Sequence, residues 1–175
     1  SRPAAAGRRS RRNGPRPEVE GEERDDAVVE CGRQALSEGL QNGEIVAWFQ
    51  PQVEFANGKV IGVEALARWE RPDGSLVRPN HFVPMMEREG LANALTDRML
   101  DEACRWKQRW DHGGQRLKLS VNVSATSLAD PSAADRYQAI VTGYGIAPAD
   151  VVLEITESSV MTDAARALAV PARPR

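Results

Sequence analysis

The sequence predicts an α/β fold in which a β-hairpin leads into a parallel sheet with helical crossovers. Residues Lys59 to Trp69 are dominated by Val, Ile, Leu and Trp and lie between the turn signals Asn57-Gly58 and Pro72-Asp73-Gly74, so they read as a strand. Asn57-Gly58 is the strongest short hairpin signal, which makes this strand the antiparallel neighbour of the one before it, Glu44 to Phe55. Beyond the hairpin, apolar periodicity runs strand, helix, strand, helix, strand, the order that builds a parallel sheet.

Residues 1–26 are a different material. Arg2, Arg8, Arg9, Arg11, Arg12 and Arg16 sit among Ala, Gly, Ser and Pro, and Glu18 to Asp26 then reverse the sign. Such a segment carries too little apolar surface to offset its ordering entropy and is expected to be a disordered tail or linker. Without interleaved aromatic residues, and with acids close behind, the arginines read as solvated rather than as a specific nucleic-acid site. From Ala27 to Leu40 the positions Val28, Val29, Ala35, Leu36 and Leu40 fit an amphipathic helix, opened by Asp25 or Asp26 and ended near Gly39 or Gly43. Glu44 to Phe55 follows as a strand in which Pro51 marks a bulge or an edge position.

After Pro72-Asp73-Gly74, residues 80–90 form a short helix with Asn80 as its cap and Gly90 as its stop. A longer helix runs from Leu91 to Trp110, with Leu95, Met99, Ala103, Trp106 and Trp110 as a core-facing stripe. Leu117 to Val123 alternates as a strand. Asp130-Pro131, an N-cap and a first-turn proline, opens a helix reaching about Tyr144, and Val151 to Thr156 is the last strand.

Length and composition narrow the class. At 175 residues, with 41% hydrophobic residues and a net charge of −2, the chain suits one domain with a real core and does not suit a bulk polyanion binder. No run of 18 apolar residues occurs, so no transmembrane helix is expected, and no apolar segment follows the charged N-terminus as a signal peptide would require. A start at Ser1 without methionine leads to the expectation of a fragment, a processed product or a piece of a longer polypeptide. Cys31 and Cys104 read as reduced structural thiols, and the placement of His81 and His112 argues against a zinc site.

Strand periodicity sorts the chemistry onto faces. Val60, Gly62, Glu64, Leu66 and Arg68 share one side of the second strand, while Ile61, Val63, Ala65, Ala67 and Trp69 form an apolar packing face. A buried charge is costly unless it is paired or bound to a metal or ligand, so Glu64 requires compensation. Arg68 could supply it as an ordinary intrastrand neighbour. Asn122 and Glu154 also fall opposite the packing faces of their strands, so three parallel or adjoining strands each present an oxygen ligand. Oxygen donors without Cys or His suit a hard cation such as magnesium or manganese. Arg68 could grip a phosphate in bidentate fashion, and Gln50 could hydrogen-bond a base edge or a phosphate. Convergence alone points to metal-dependent phosphate chemistry, with a polar sheet face lining solvent as the alternative.

The motifs Phe49-Gln50-Pro51-Gln52-Val53, Gly62-Val63-Glu64-Ala65-Leu66-Ala67-Arg68-Trp69 with Pro72, Val121-Asn122-Val123-Ser124 and Leu153-Glu154-Ile155-Thr156-Glu157-Ser158 resemble, in order, the EAL domain of bacterial cyclic di-GMP phosphodiesterases. The resemblance covers about residues 34–163. It implies the N-terminal half of a modified (β/α)8, TIM-like barrel with its first strand antiparallel, truncated after about the fourth strand. It implies two-metal hydrolysis of cyclic di-GMP to linear pGpG with Mg2+ or Mn2+. Glu64, Asn122 and Glu154 would be metal ligands, and Glu64 and Glu157 catalytic, with Glu157 supporting the metals. Gln50, Leu66 and Arg68 would bind substrate. The domains then divide as a 1–26 tail or linker, a partial EAL domain over 27–163 and a Pro/Arg-containing tail over 164–175.

The family's DDFGTG strand is absent, so negligible turnover by this chain is expected, together with an open strand edge near Val151 to Ile155 that favours a homodimer or aggregation. Four readings stay open, in this order: an incomplete active phosphodiesterase, a cyclic di-GMP-binding or protein-interaction regulatory module, a remnant with neither property, and nucleic-acid binding through the arginine cluster. A cytoplasmic setting, or a membrane-anchored or multidomain parent, is the expected context.

Overall fold

The structure, a computed structural model, describes residues 16–17 and 32–155. In chain order the elements are β1 (Arg16–Pro17), α1 (Arg33–Gln41), β2 (Ile45–Val53), β3 (Val60–Glu70), β4 (Leu76–Val77), α2 (Pro79–Arg88), α3 (Ala92–His112), β5 (Lys118–Val123), α4 (Ala125–Leu128), α5 (Ala133–Gly143) and β6 (Val151–Ile155), with a 3-10 turn at Pro148–Asp150. The strands form one sheet in the order β1-β2-β3-β5-β6, with β4 beside β3. β2 and β3 are antiparallel, whereas β3, β5 and β6 run parallel. Among the described residues the sheet is unclosed. This is the mixed sheet that the hairpin and the alternating elements lead to, and it is consistent with the partial barrel that the resemblance implies.

Period-two alternation puts Ile45, Ala47 and Phe49 of β2, Val63, Ala65 and Trp69 of β3, and Leu119, Val121 and Val123 of β5 on one buried face. Leu95, Met99, Leu100 and Ala103 of α3 close over that face, and each fully buried large side chain contributes roughly 1.5–3 kcal/mol. Trp110 meets Phe49 edge-on with ring centroids 4.9 Å apart. Trp69 anchors α1: its Nε1 donates to Glu44 Oε2 at 2.9 Å, and a Cβ at Gly39 would fall 2.9 Å from that nitrogen. Close approach explains the glycine inside α1, and of the two expected stops, Gly39 and Gly43, the helix ends by Gly43, at φ +69°. Lys107, 2% exposed, clips the end of α3 to the start of β5 by donating to the Leu117 carbonyl at 2.8 Å and to Asp111 at 3.1 Å.

Several local expectations change. Phe55 is fully exposed and belongs to the turn, because Gly58 N donates to the Glu54 carbonyl and ends the hairpin strands at Val53 and Val60. Pro51 pairs regularly with Val63, and the register shift falls one residue later, between Gln52 and Val53. β1 reaches only Trp48 and Phe49, so the missing N–H of Pro51 costs no ladder bond on that side. Arg16 and Pro17 are strand-paired, although the 1–26 segment was expected to be unstructured; the edge of β2 offers them free backbone groups. β4 was not anticipated: the turn at Pro72-Gly74 closes a second hairpin, with Arg71 N donating to Ser75 O at 2.9 Å.

α2 starts at Pro79, whose fixed φ suits the first helical position, so Arg78 is the N-cap and Asn80 lies in the first turn. Likewise α5 starts at Ala133 with Ser132 as N-cap, and the separate α4 precedes it. Asp130 and Pro131 therefore lie in the connecting turn. The remaining residues of the 1–26 segment, the helix start at Ala27 with Asp25 and Asp26, Cys31, Thr156 and the 164–175 tail lie outside the described residues.

Asp130 is the fastening of that turn. Its Oδ1 accepts from Ser132 N at 2.9 Å and Ser132 Oγ at 2.8 Å, and its Oδ2 accepts from Arg136 Nη1 at 3.0 Å and Asn93 Nδ2 at 3.1 Å. The bonds from Ser132, followed by the Arg136 guanidinium, hold its carboxyl down to about 2. An unfolded Asp titrates near about 3.9, so the fold favours the ionised form, and its stabilisation is present above about pH 4 and lost as pH falls toward 2. The thermal midpoint of Asp130→Asn is expected to fall below that of the wild type at pH 7, with the gap narrowing between pH 4 and pH 2; a gap independent of pH would contradict the assignment.

Candidate functional site

The sheet face turned away from the helices carries the chemistry. Strand register sets Gln50 opposite Glu64, Trp48 opposite Leu66 and Val46 opposite Arg68 across β2 and β3. On the parallel side Glu64 lies beside Ser120, and Asn122 lies beside Glu154. Glu64, Leu66, Asn122 and Glu154 are half-buried, and Gln50 is exposed. The sequence-derived set thus gathers on one face of four adjacent strands, apart from Glu157, which lies outside the described residues.

The compensation of Glu64 comes from β5. Asn122 Nδ2 donates to Glu64 Oε1 at 2.8 Å, across a 58-residue separation. Arg68 Nη1, for its part, donates to the Ala67 carbonyl at 2.8 Å, and its guanidinium lies 5.7 Å from the Trp48 ring centroid. Arg68 is only 6% exposed. Trp48 is itself held by a 3.1 Å bond from Nε1 to Glu70 Oε1, and Gln52 Nε2 donates to Ser120 Oγ at 3.4 Å. Trp48 and Glu70 share the face of Gln50 and Arg68, a placement that the two-residue period could have revealed.

A cavity of about 260 Å³ adjoins the carboxyl ends of β3 and β5, lined by Leu66, Val83, Glu87, Thr96, Asn122 and Ser124 among others. Leu66 and Asn122 belong to both the cavity and the polar face. Glu87 and Ser124 carry no motif-level signal of a partnership, since one is on α2 and the other follows β5. Among the described residues, no three His, Cys, Asp or Glu side chains cluster as a metal site; the oxygen set is two carboxylates and one amide. Cys104 is buried, and burial first, then the charge of Asp101, pushes its thiol up to about 12, so it stays protonated and unreactive near neutral pH.

The sequence model of the EAL domain matches residues 33–173. The chain belongs to the EAL domain family. It is 37% identical over 136 residues to the bifunctional diguanylate cyclase/cyclic di-GMP phosphodiesterase MucR of Pseudomonas aeruginosa, covering 77% of this chain and 20% of that protein. It is 32% identical over 130 residues to the cyclic di-GMP phosphodiesterase RocR of the same organism, covering 74% of this chain and 33% of that protein. The MucR phosphodiesterase solved with c-di-GMP superposes with a TM-score of 0.69 at 37% identity, over 77% of this chain and 55% of that one. This EAL chain thus spans a fifth to a third of the length of these curated relatives and about half of the solved domain. No helix among its described residues is long and apolar enough to cross a membrane.

In this EAL domain the Asn122 bond stabilises a half-buried carboxylate, and losing a charge-assisted bond costs about 1–3 kcal/mol. Asn122→Ala is expected to lower the urea midpoint accordingly with an unchanged slope. An unaltered midpoint would mean that Glu64 finds its donor elsewhere.

Proposed function

We propose that the polar face of β2, β3, β5 and β6 binds cyclic di-GMP together with a divalent cation, and that it contributes these residues to phosphodiester hydrolysis yielding linear pGpG. The observation that carries the reading is the Asn122–Glu64 bond, which joins two oxygen-bearing side chains from two of the four motifs at 2.8 Å. The donor chemistry fits: carboxylate and amide oxygens, with neither sulfur nor imidazole among them, are what Mg2+ or Mn2+ accepts. Glu64, Asn122 and Glu154 would hold the cation. When bound, it lowers the pKa of a water and neutralises charge on the phosphate.

The chain's own groups divide the remaining work. Gln50, at the exposed end of the face, offers an amide to a base edge or phosphate, and Leu66 offers apolar surface to the nucleotide. Arg68 supplies positive charge, with Trp48 fixing its guanidinium from one side. Glu157 would support the metal ligands. Asn122, by donating to Glu64, keeps one carboxylate oxygen occupied and so orients the other.

A second reading, binding without efficient turnover, is favoured by the size of the donor set. Among the described residues the face offers three oxygen donors, few for two hard cations that each prefer about six ligands. The edge strand β6 also exposes Val152, Leu153 and Ile155 at 44%, 37% and 51%, apolar surface that supports association of two copies. We place this activity in the cytoplasm, as a module of a larger signalling protein.

Calorimetric titration of cyclic di-GMP into the chain with Ca2+, beside a Glu64→Ala/Arg68→Ala double variant, separates the possibilities. Saturable binding lost in the double variant is expected. In Mg2+ or Mn2+, chromatography is expected to find little pGpG from the chain alone. Brisk turnover would favour the first reading over the second, and absence of heat from folded protein would refute both.

A further inference from the structure

We infer that Glu87 is a positioning residue for this site, acting through Ser124 on Asn122; the inference rests on the ligand reading proposed above. Glu87 is the second-last residue of α2, and Ser124 is the first residue after β5, two positions beyond Asn122. Ser124 Oγ donates to Glu87 Oε1 at 2.5 Å. The same oxygen lies 2.7 Å from Thr126 Oγ1 and accepts from Thr126 N at 3.3 Å, capping α4. A hydroxyl has one proton, and an ionised carboxylate can only accept. The Ser124 proton therefore goes to Glu87, and its lone pairs are left for Thr126. Glu87 thereby decides the rotamer at the point where β5 ends.

Val121 and Val123 hold the strand from its apolar side, and the Glu87–Ser124 bond adds a restraint on the cavity side. Glu87, Asn122 and Ser124 all line the 260 Å³ cavity, whose other walls include the apolar Leu66, Val83 and Leu95. On the side that borders the cavity, polar side chains meet few packed neighbours, so hydrogen bonds rather than close packing set their orientation. The Glu87–Ser124 bond spans the gap from helix to strand. Asn122, whose amide must reach Glu64 at 2.8 Å, depends on the strand end that this bond holds.

The test uses Glu87→Ala, Glu87→Gln, Ser124→Ala and the Glu87→Ala/Ser124→Ala pair in the full chain. Calorimetric affinity for cyclic di-GMP with Ca2+ is read beside the thermal midpoint. Residues that orient ligand-binding groups typically change affinity about 10- to 100-fold when removed, and that loss is expected for Glu87→Ala and Ser124→Ala. Glu87→Gln keeps an accepting oxygen for Ser124 and is expected to stay within about threefold of wild type. The double variant is expected to bind no worse than either single one, as for two residues acting as one unit. Losses that multiply, or a lowered midpoint with wild-type affinity, would overturn the inference. A second readout needs no ligand: the Asn122 side-chain amide resonance, assigned with Asn122→Asp, is expected to move in Glu87→Ala and Ser124→Ala and to return in Glu87→Gln. If wild type binds no cyclic di-GMP, the ligand reading fails, and this resonance alone decides the positioning: an unmoved signal overturns it.

Discussion

A carboxylate on a mostly apolar strand must be answered, and the 2.8 Å bond from Asn122 Nδ2 to Glu64 Oε1 is the answer on which the site depends. It requires β5 to lie parallel beside β3 in one register, with Glu64 next to Ser120 and its side chain reaching Asn122 one pleat further on. A slip by one residue would exchange the faces of β5, sending Asn122 into the helices and Val121 onto the polar side. The apolar face enforces the same register, since Leu119, Val121 and Val123 are all buried where α3 packs on the sheet. Core packing and site assembly are therefore one constraint seen from two sides of the sheet.

What the sequence disclosed follows from this economy. Face assignments need only the two-residue period, so the order of residues alone puts Glu64, Asn122 and Glu154 opposite Val63, Val121 and Leu153. The hairpin was legible because Asn57-Gly58 encodes a local turn, with Gly58 at φ +70°. Pairings between distant segments were not legible. Nothing local to Arg68 says that Trp48 will lie against its guanidinium, and nothing local to Glu64 prefers Asn122 to Arg68 as its donor. Short elements escaped for a related reason: β4 is two residues and α4 four, too few for a period to declare itself. The cap assignments at Asn80 and Asp130 each failed by two residues, because Pro79 already sits in the first helical position and Ser132 caps α5.

The fold treats the two ends of β5 differently. At the amino end, Lys107 is 2% exposed and gives its ammonium to the Leu117 carbonyl and to Asp111, with Asp150 at 3.8 Å. A buried cation with its donors so engaged is costly to move, since displacement would leave it unpaired. At the carboxyl end the restraints are hydrogen bonds of Ser124 beside an open cavity. Rigid scaffold at one end and adjustable polar ties at the other is the arrangement expected where loops following the strands carry function.

The same asymmetry bears on β6. Its residues Val152, Leu153 and Ile155 are more exposed than their counterparts on β5, where Ser120, Val121 and Val123 are buried, although the two strands share a register. Glu154 nevertheless stays half-buried beside Asn122. Among the described residues, pairing to β5 is enough to bring Glu154 into the polar face, while Val152, Leu153 and Ile155 stay exposed. Whatever packs against β6 acts on a strand whose carboxylate already lies beside Asn122. Any such contact at Glu154 would be felt along the ladder from Glu154 to Asn122 and on to Glu64, whose carboxylate the Asn122 amide holds.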